Sequence, residues 1–350
     1  MGDAAQLLRK DNWWSSKIPP VLALAYLEIA VQDIPPARAF GGLAALLFSA
    51  VCLAAYGHVL NDMCDIEADR RAGKPNRVAA LPVWQRTGLV AVLALLGLVP
   101  WLLVPPVPRA WAFLTLIYTL PVLYAVPPVR LKERGVWGVL GDASIAHGVP
   151  ALFTLAFFEG LSRVPSPWSA AFMTAAASWA FAVGARGIVL HQIWDRENDL
   201  RSGLTTLVTE IGAQRSRRLI LAVVFPAEML ALAGMGVVLA ATAPLLLAVL
   251  VGCVILEVVE AELWKRFDPA PSVPGLHIPP HDLYQIWMPL VAASFLSTRH
   301  SAFLVLVVVQ AVLFSAQIKD RPILAIGGGA LRRAYYRARR VRRSLSRTSA

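Results

Sequence analysis

An all-α bundle of about nine to ten membrane-crossing helices is the fold class that the sequence predicts, and three observations carry it. The 350-residue chain is 57% hydrophobic and only 16% charged, far from the balance of a soluble domain. Its apolar runs recur at the length a bilayer crossing needs, roughly 20 residues. Its Lys and Arg gather in alternate connections, as they do in short cytoplasmic loops.

The apolar runs fall at 17–33, 40–60, 88–105, 109–126, 138–158, 167–193, 219–240, 243–264, 284–298 and 301–318, the first and ninth being the weakest. The first carries Glu28 and lacks a basic-then-apolar start with a small-residue cleavage site, so it is expected to stay as a helix. With the N-terminus inside, the basic residues concentrate at 61–87, 127–137, 194–218 and 265–283. These connections and both chain ends are therefore expected on the cytoplasmic face of an integral protein of the plasma (inner) membrane. Trp13, Trp14, Trp84, Trp111, Trp137 and Trp194 lie near helix ends, as interfacial anchors do. Cys52, Cys64 and Cys253 are too few and too scattered for a disulfide framework or a zinc site.

Residues 1–320 read as one transmembrane domain and 321–350 as a basic cytoplasmic tail, which contributes much of the net charge of +11. Nucleic acid is the tempting partner for that tail, but membrane lipid fits better. Leu331, Tyr335, Ala338, Val341 and Leu345 fall on one helical face, the pattern of an amphipathic basic helix on anionic lipid. "GGGA" at 327–330 lacks the Lys-Ser/Thr of a phosphate loop and reads as a joint.

The chemistry lies in a repeat. "DIEADRRAG" (65–73) and "DRENDLRSG" (195–203) share Asp, Glu, Asp, Arg and Gly at the same offsets, each following an apolar run on the expected cytoplasmic side. Related halves that each offer one acidic site are a known way to build a membrane protein. At about 100° per residue, Asn61, Asp62, Asp65 and Asp69 occupy one stripe of a helix, and Asp195 and Asp199 stack likewise. Carboxylates so aligned repel one another unless a cation sits among them. All-oxygen ligand sets suit Mg²⁺ when substrate phosphates complete the shell, so the spacing suggests metal-bridged diphosphate binding. The bland alternative is a pair of solvated, ion-paired helix ends.

In combination these motifs resemble the UbiA superfamily of intramembrane prenyltransferases, whose first motif is N-D-x-x-D-x-x-x-D and whose second is D-x-x-x-D. Asn61, Asp62, Asp65 and Asp69 fill the first, Asp195 and Asp199 fill the second, and "RSGLTTLVTEIG" continues in the same manner. "YAVPPVRLKERGVWG" (124–138) resembles the Y-S-x-P-P-x-x-L-K-x-x-G-x-x-G stretch of chlorophyll-synthase-like and archaeal lipid-synthesising members. The resemblance spans about 15–298, which makes the run at 301–318 and the tail additions to a UbiA-like pseudo-repeat. Val139 stands where related members have Asn, with Asp142 three residues later, and His191 stands where some aromatic-acceptor members have Tyr. A hydroxybenzoate acceptor is therefore not carried over.

The resemblance implies Mg²⁺-dependent transfer of a prenyl group from an isoprenoid diphosphate to a lipophilic acceptor, with release of pyrophosphate. Two Mg²⁺ ions are expected, one on Asn61, Asp62 and Asp65 and the other on Asp195 and Asp199. Lys132, with Arg130 beside it, is expected to fold over the acidic sites and contact pyrophosphate; Arg77 and Arg201 are further candidate contacts. Asp69 either joins the substrate site or holds a basic neighbour in place. His191 shares the stripe of Asp195 and Asp199 and could orient an acceptor, take a proton, bind a metal or simply join two helices. Glu28, His58, Asp142, His147 and Arg186 are further intramembrane candidates, Arg186 facing either an acidic acceptor group or Glu28 or Asp142. A terpene cyclase of the same fold would use the same motifs without an acceptor, and a non-enzymatic transporter or lipid-binding scaffold would tolerate loss of single aspartates. Prenyl length, acceptor identity and oligomeric state are left open.

Overall fold

Proline opens the helices where a missing N–H costs nothing, and charge does not end them. The computed structural model describes residues 7–10, 13–263, 268–271 and 281–315. In chain order the helices are α1 (Ile18–Gln32), α2 (Pro36–Ala72), α3 (Val83–Leu103), α4 (Pro108–Ala125), α5 (Val136–Leu161) and α6 (Ser169–Ser202). They continue with α7 (Ala213–Thr242), α8 (Pro244–Leu263), α9 (Met288–Arg299, entered through a π-turn at Leu283–Trp287) and α10 (Ser301–Leu313). Pro19, Pro36 and Pro108 sit in the first turns of α1, α2 and α4, where the backbone N–H would be unpaired in any case. Among the described residues the one extended pairing is an isolated bridge between Gly135 and Thr206.

The apolar runs and the helices agree in order, and α2, α3, α5, α6 and α7 are each long and apolar enough to cross a membrane. The acidic repeats lie on helix, in keeping with their stripe spacing and beyond the ends that hydropathy marks: α2 continues through 61–72 and α6 through 194–202. Hydropathy falls there, but the residues that follow (Asp, Glu, Arg, Ala, Met, Leu) are compatible with a helix, and nothing breaks it before a glycine. The last apolar run appears as α10, ending at Leu313. The tail at 321–350, with its proposed amphipathic face and the "GGGA" joint, lies outside the described residues.

α6 and α7 lie along each other, α3 packs on α2, and α1 is enclosed by α5 and α9. Every residue of α1 is buried, so its weak hydropathy signal belongs to a helix that touches protein rather than lipid. Leu95, Leu102 and Leu103 of α3, Leu230 and Val237 of α7, and Leu304, Val308 and Val312 of α10 are exposed, as side chains facing lipid are. The α2–α3 contact is close and partly polar. Ser49 Oγ donates to the Gly97 carbonyl (2.7 Å), Trp101 Nε1 donates to that hydroxyl (2.8 Å), and a Cβ at Gly97 would meet Leu53 at 2.9 Å.

Arg186 pairs with neither Glu28 nor Asp142. Fully buried in α6, it donates through Nε and Nη2 to the two carboxylate oxygens of Glu228 on α7 at 2.6 and 2.9 Å. Tyr284 Oη donates to the same carboxylate at 2.6 Å. A bidentate partner is what makes a charge tolerable at such a depth. Glu28 accepts instead from Gln32 Nε2 (2.7 Å), which also donates to Ser169 Oγ (2.8 Å). Cys52, Cys64 and Cys253 are free thiols.

Candidate active site

The two acidic repeats end in the same way. Gly73 closes α2 at φ 65°, ψ 21° and Gly203 closes α6 at φ 71°, ψ 22°, both left-handed. Past each glycine the next N–H turns back, Lys74 N to Asp69 O and Leu204 N to Asp199 O, both at 2.9 Å. This is a Schellman stop, and only glycine takes the left-handed position without a Cβ penalty. The glycine shared by the two repeats therefore has a mechanical reason: it ends each helix one turn past the final Asp and sends the chain back toward the carboxylates.

On α2 the carboxylates are densely partnered. Asn61 Nδ2 donates to Asp65 Oδ2 (2.9 Å), Lys132 Nζ donates to Asn61 Oδ1 (2.9 Å) and to Asp65 Oδ1, and Arg130 Nη2 donates to Asp65 Oδ1 (3.0 Å). Asp62 is buried and accepts from Arg9 Nη1 at 2.7 Å. Among the described residues Asp69 pairs with no basic side chain; it accepts from Asn76 Nδ2 (2.8 Å), which also donates to the Asp62 carbonyl (2.8 Å). Asp69 thus pins the returning chain against the first half of its own motif.

On α6 the arrangement is sparser. Asp195 accepts from Lys74 Nζ (2.7 Å) and from Asn198 Nδ2 (3.1 Å). The Asp199 side chain is buried, with no hydrogen-bond partner among the described residues. Lys74 joins the halves, because it follows the glycine stop of α2 and reaches the motif of α6. A cleft of about 330 Å³ opens between the helix ends, lined by Glu67, Arg71, Arg130, Glu133, Ser202 and Leu204 among others.

The connection between α4 and α5 closes over this region, as its sequence led us to expect. Arg130 stands at φ 42°, a left-handed position unusual for arginine, and its guanidinium is held by Asp65, by Glu133 (2.7 Å) and by the carbonyls of Cys64 and Ala125. At Gly135, φ 52°, the chain bridges to Thr206 beyond the second motif, and a Cβ there would lie 2.3 Å from the Glu210 carboxylate. Thr206 in turn caps the short helix Leu207–Ile211. The loop is thereby tied to both repeats. Burial draws the Lys132 ammonium below its ordinary pKa, against the opposing pull of Asp65.

The structure thus gathers Asn61, Asp62, Asp65, Asp69, Arg130, Lys132, Asp195 and Asp199. Arg77 is exposed, and Arg201 is exposed and paired with Glu197 (3.7 Å), so neither is drawn in. His191 lies one turn before Asp195 and is solvent-accessible despite its place within α6. Trp194 Nε1 donates to the Pro271 carbonyl at 3.0 Å, a structural contact. Arg9 and Lys74 went unnoticed in the sequence. Lys74 could have been found from its place directly after the glycine stop, whereas nothing near Arg9 announces a partner 53 positions away. Among the described residues no three carboxylate, imidazole or thiol groups converge closely enough to cage an ion by themselves.

Comparison with known proteins agrees with this architecture. The Bacteriochlorophyll synthase 33 kDa chain of Cereibacter sphaeroides is 23% identical over 231 residues, which span 64% of this chain and 71% of that one. A UbiA homolog from Archaeoglobus fulgidus, solved bound to DMAPP and Mg²⁺, superposes with a TM-score of 0.60 at 17% identity, covering 87% of this chain and 99% of the other. The same homolog bound to GPP and Mg²⁺ also gives 0.60 at 17% identity, over 87% and 98%. At such identity the likeness is one of fold. The UbiA prenyltransferase family matches residues 18–273, well over half the chain; the protein belongs to that family and is a membrane prenyltransferase.

Proposed function

We propose that the chain transfers a prenyl group from an isoprenoid diphosphate to a lipophilic acceptor, releasing pyrophosphate, at a Mg²⁺-dependent site facing the cytoplasmic leaflet. The observation that carries this reading is the pairing of each acidic motif with mobile-reach cations from other segments: Arg9 on Asp62, Lys132 and Arg130 on Asp65, and Lys74 on Asp195. Each of these ammonium or guanidinium groups sits where it can exchange a carboxylate for a phosphate oxygen. A diphosphate arriving between the helix ends meets four cations, and the carboxylates they leave become available for metal.

The donor set fits Mg²⁺. It is all-oxygen, split between two helix ends and insufficient to cage an ion alone, and Mg²⁺ characteristically takes one or two carboxylates and completes its shell with water and substrate phosphates. Asn61, Asp62 and Asp65 would hold one ion, Asp195 and Asp199 a second. Bound there, Mg²⁺ supplies charge stabilisation to the departing pyrophosphate. Lys132 and Arg130, both held on Asp65 by a loop tied across to the second half at Gly135, would add further positive charge for the departing pyrophosphate. The allylic C1–O bond breaks with its electron pair on pyrophosphate, an electron pair of the acceptor closes on C1, and the proton the acceptor loses passes to the released pyrophosphate or to water.

The test is turnover of purified protein in lipid, with radiolabelled geranyl, farnesyl and geranylgeranyl diphosphates, with and without Mg²⁺, first alone and then with lipid and aromatic acceptor pools. Labelled conjugate that needs both Mg²⁺ and an acceptor supports the transferase. A hydrocarbon or terpene alcohol formed from diphosphate alone would make the protein a cyclase, and no consumption of diphosphate under any condition would end the enzymatic reading.

A further inference from the structure

The first acidic motif is reached by a cation from a segment that precedes α1. Arg9 stands at φ 50°, a left-handed position that is costly for any residue but glycine and persists only where the surroundings over-determine it. Both of its neighbours are held. The Leu8 carbonyl accepts from Trp13 Nε1 at 2.9 Å, and the Lys10 carbonyl accepts from the backbone N–H of Trp13 (3.2 Å) and of Trp14 (2.9 Å). The Lys10 ammonium lies over the Trp14 ring, 4.8 Å from its centroid. A turn pinned on either side of Arg9 thus presents the guanidinium to Asp62, where the 2.7 Å pair forms.

The tryptophan pair is fixed in turn by the far end of the chain. Trp14 Nε1 donates at 3.2 Å to the carbonyl of Leu313, the last residue of α10, and its ring stacks on Phe314 with centroids 5.3 Å apart and planes 26° from parallel. A carbonyl in the final turn of a helix has no partner within that helix, so the indole supplies what α10 lacks. Trp13 and Phe314 are buried, and Trp13 meets Trp14 edge-on at 6.2 Å. Both indole N–H groups therefore donate to protein carbonyls rather than turning to lipid head groups. α10 has its own anchors, packing on α9 and meeting Phe40 at the start of α2 through Phe303, with ring centroids 5.5 Å apart.

The family match covers residues 18–273, so the segment that carries Arg9 and the helix that holds it both lie outside it. Two segments from opposite ends of the chain thus meet beside a motif that the matched core supplies. The first residues of a chain stay poorly ordered unless something ties them down, and here the tie is α10. Resting on the prenyl-transfer reading, we infer that α10 serves the donor site: Trp14 and Phe314 are positioning residues that hold Arg9 at the first motif, ready to pass its guanidinium from Asp62 to a diphosphate oxygen. The planar fork of arginine suits that exchange, because it matches carboxylate and phosphate alike. The benefit is preorganisation, since a cation already fixed beside the site binds the ligand without the entropy loss of gathering an untethered chain end.

The test is equilibrium binding of non-hydrolysable geranyl and geranylgeranyl thiodiphosphates to the full chain in lipid nanodiscs with Mg²⁺. Arg9→Gln is expected to weaken the tighter probe about tenfold, the scale of one charge-assisted hydrogen bond. Trp14→Leu and Phe314→Ala, acting through Arg9, should each weaken it by about three- to tenfold, and Phe314→Tyr, which keeps the ring, should bind as wild type does. The double variant Arg9→Gln/Trp14→Leu should be no weaker than Arg9→Gln alone, whereas Lys74→Gln/Trp14→Leu should show the product of its single effects. Phe314→Leu takes the place of Trp14→Leu in both cycles if the latter does not fold. Multiplied losses in the Arg9 cycle, wild-type affinity in both the Trp14 and Phe314 truncations, or wild-type affinity in Arg9→Gln would each overturn the inference while leaving the donor reading in place. Failure of the wild type to bind either probe would overturn the donor reading and this inference with it.

Discussion

The helix ends of α2 and α6 share one backbone solution and differ in almost everything that surrounds it. Both run charged past the apolar span, both stop at a left-handed glycine, and both return the chain toward their own carboxylates. Around α2, however, Asp62, Asp65 and Asp69 are each engaged by a side chain from elsewhere. Around α6, Asp195 has Lys74 and a near neighbour, and Asp199 is buried without a hydrogen-bond partner among the described residues. Duplicated geometry has been divided into an organised half and an open half. Stability at the first motif rests on its pairs, whereas at the second an unpaired carboxylate is retained at a cost to stability.

Aspartate neutralisation should separate the halves most strongly. Asp65→Asn and Asp199→Asn are each expected to lower kcat by on the order of 10²–10³-fold, the scale of losing a group that stabilises developing charge. Their thermal stabilities should diverge. Asp65→Asn removes the carboxylate that Lys132 and Arg130 share and lowers Tm, while Asp199→Asn relieves an unpartnered buried charge and leaves Tm unchanged or higher. Equal destabilisation by the two would erase the distinction between the halves.

Lys74 is the bond across the comparison. Replacing it with Gln should raise KM for prenyl diphosphate roughly tenfold, as expected for one lost charge-assisted hydrogen bond, with little change in the apparent affinity for acceptor. A variant with unaltered KM would show that Lys74 only balances charge on Asp195. Smaller again is the effect of the stops: Gly73→Ala and Gly203→Ala should each cost roughly 1–2 kcal/mol in unfolding experiments, the ordinary penalty of a Cβ in the left-handed region. Similar values would support the equivalence of the two backbones. Arg77→Gln and Arg201→Gln should change kcat/KM less than about twofold, because both side chains are solvated and, among the described residues, Arg201 alone of the two has a partner, itself an exposed pair.

How far the sequence reached follows from what each signal measures. Hydropathy located the spans, because burial in lipid acts on composition, and the offset match of the two acidic repeats located both motifs and their glycines. The same hydropathy misplaced the helix ends, treating 61–72 and 194–202 as loop, since charge ends an apolar run without ending a helix. Pairings between distant segments were the least legible. Arg186 found Glu228, on a helix considered for no chemistry, and Arg9 found Asp62 from a segment with no motif at all.

The Arg186–Glu228–Tyr284 contact fixes more than a buried charge. It lies on α6 nine residues before Asp195, and its two parallel hydrogen bonds can form at only one rotational setting of that helix against α7. The angular position of the second acidic motif is therefore dictated from deep in the bundle, through a rigid rod. A single residue inserted between Arg186 and Asp195 would leave the span, the glycine stop and the composition of the motif untouched. It would also turn the carboxylates by about 100° away from Lys74 and the first motif, leaving a well-folded protein whose two halves no longer face each other.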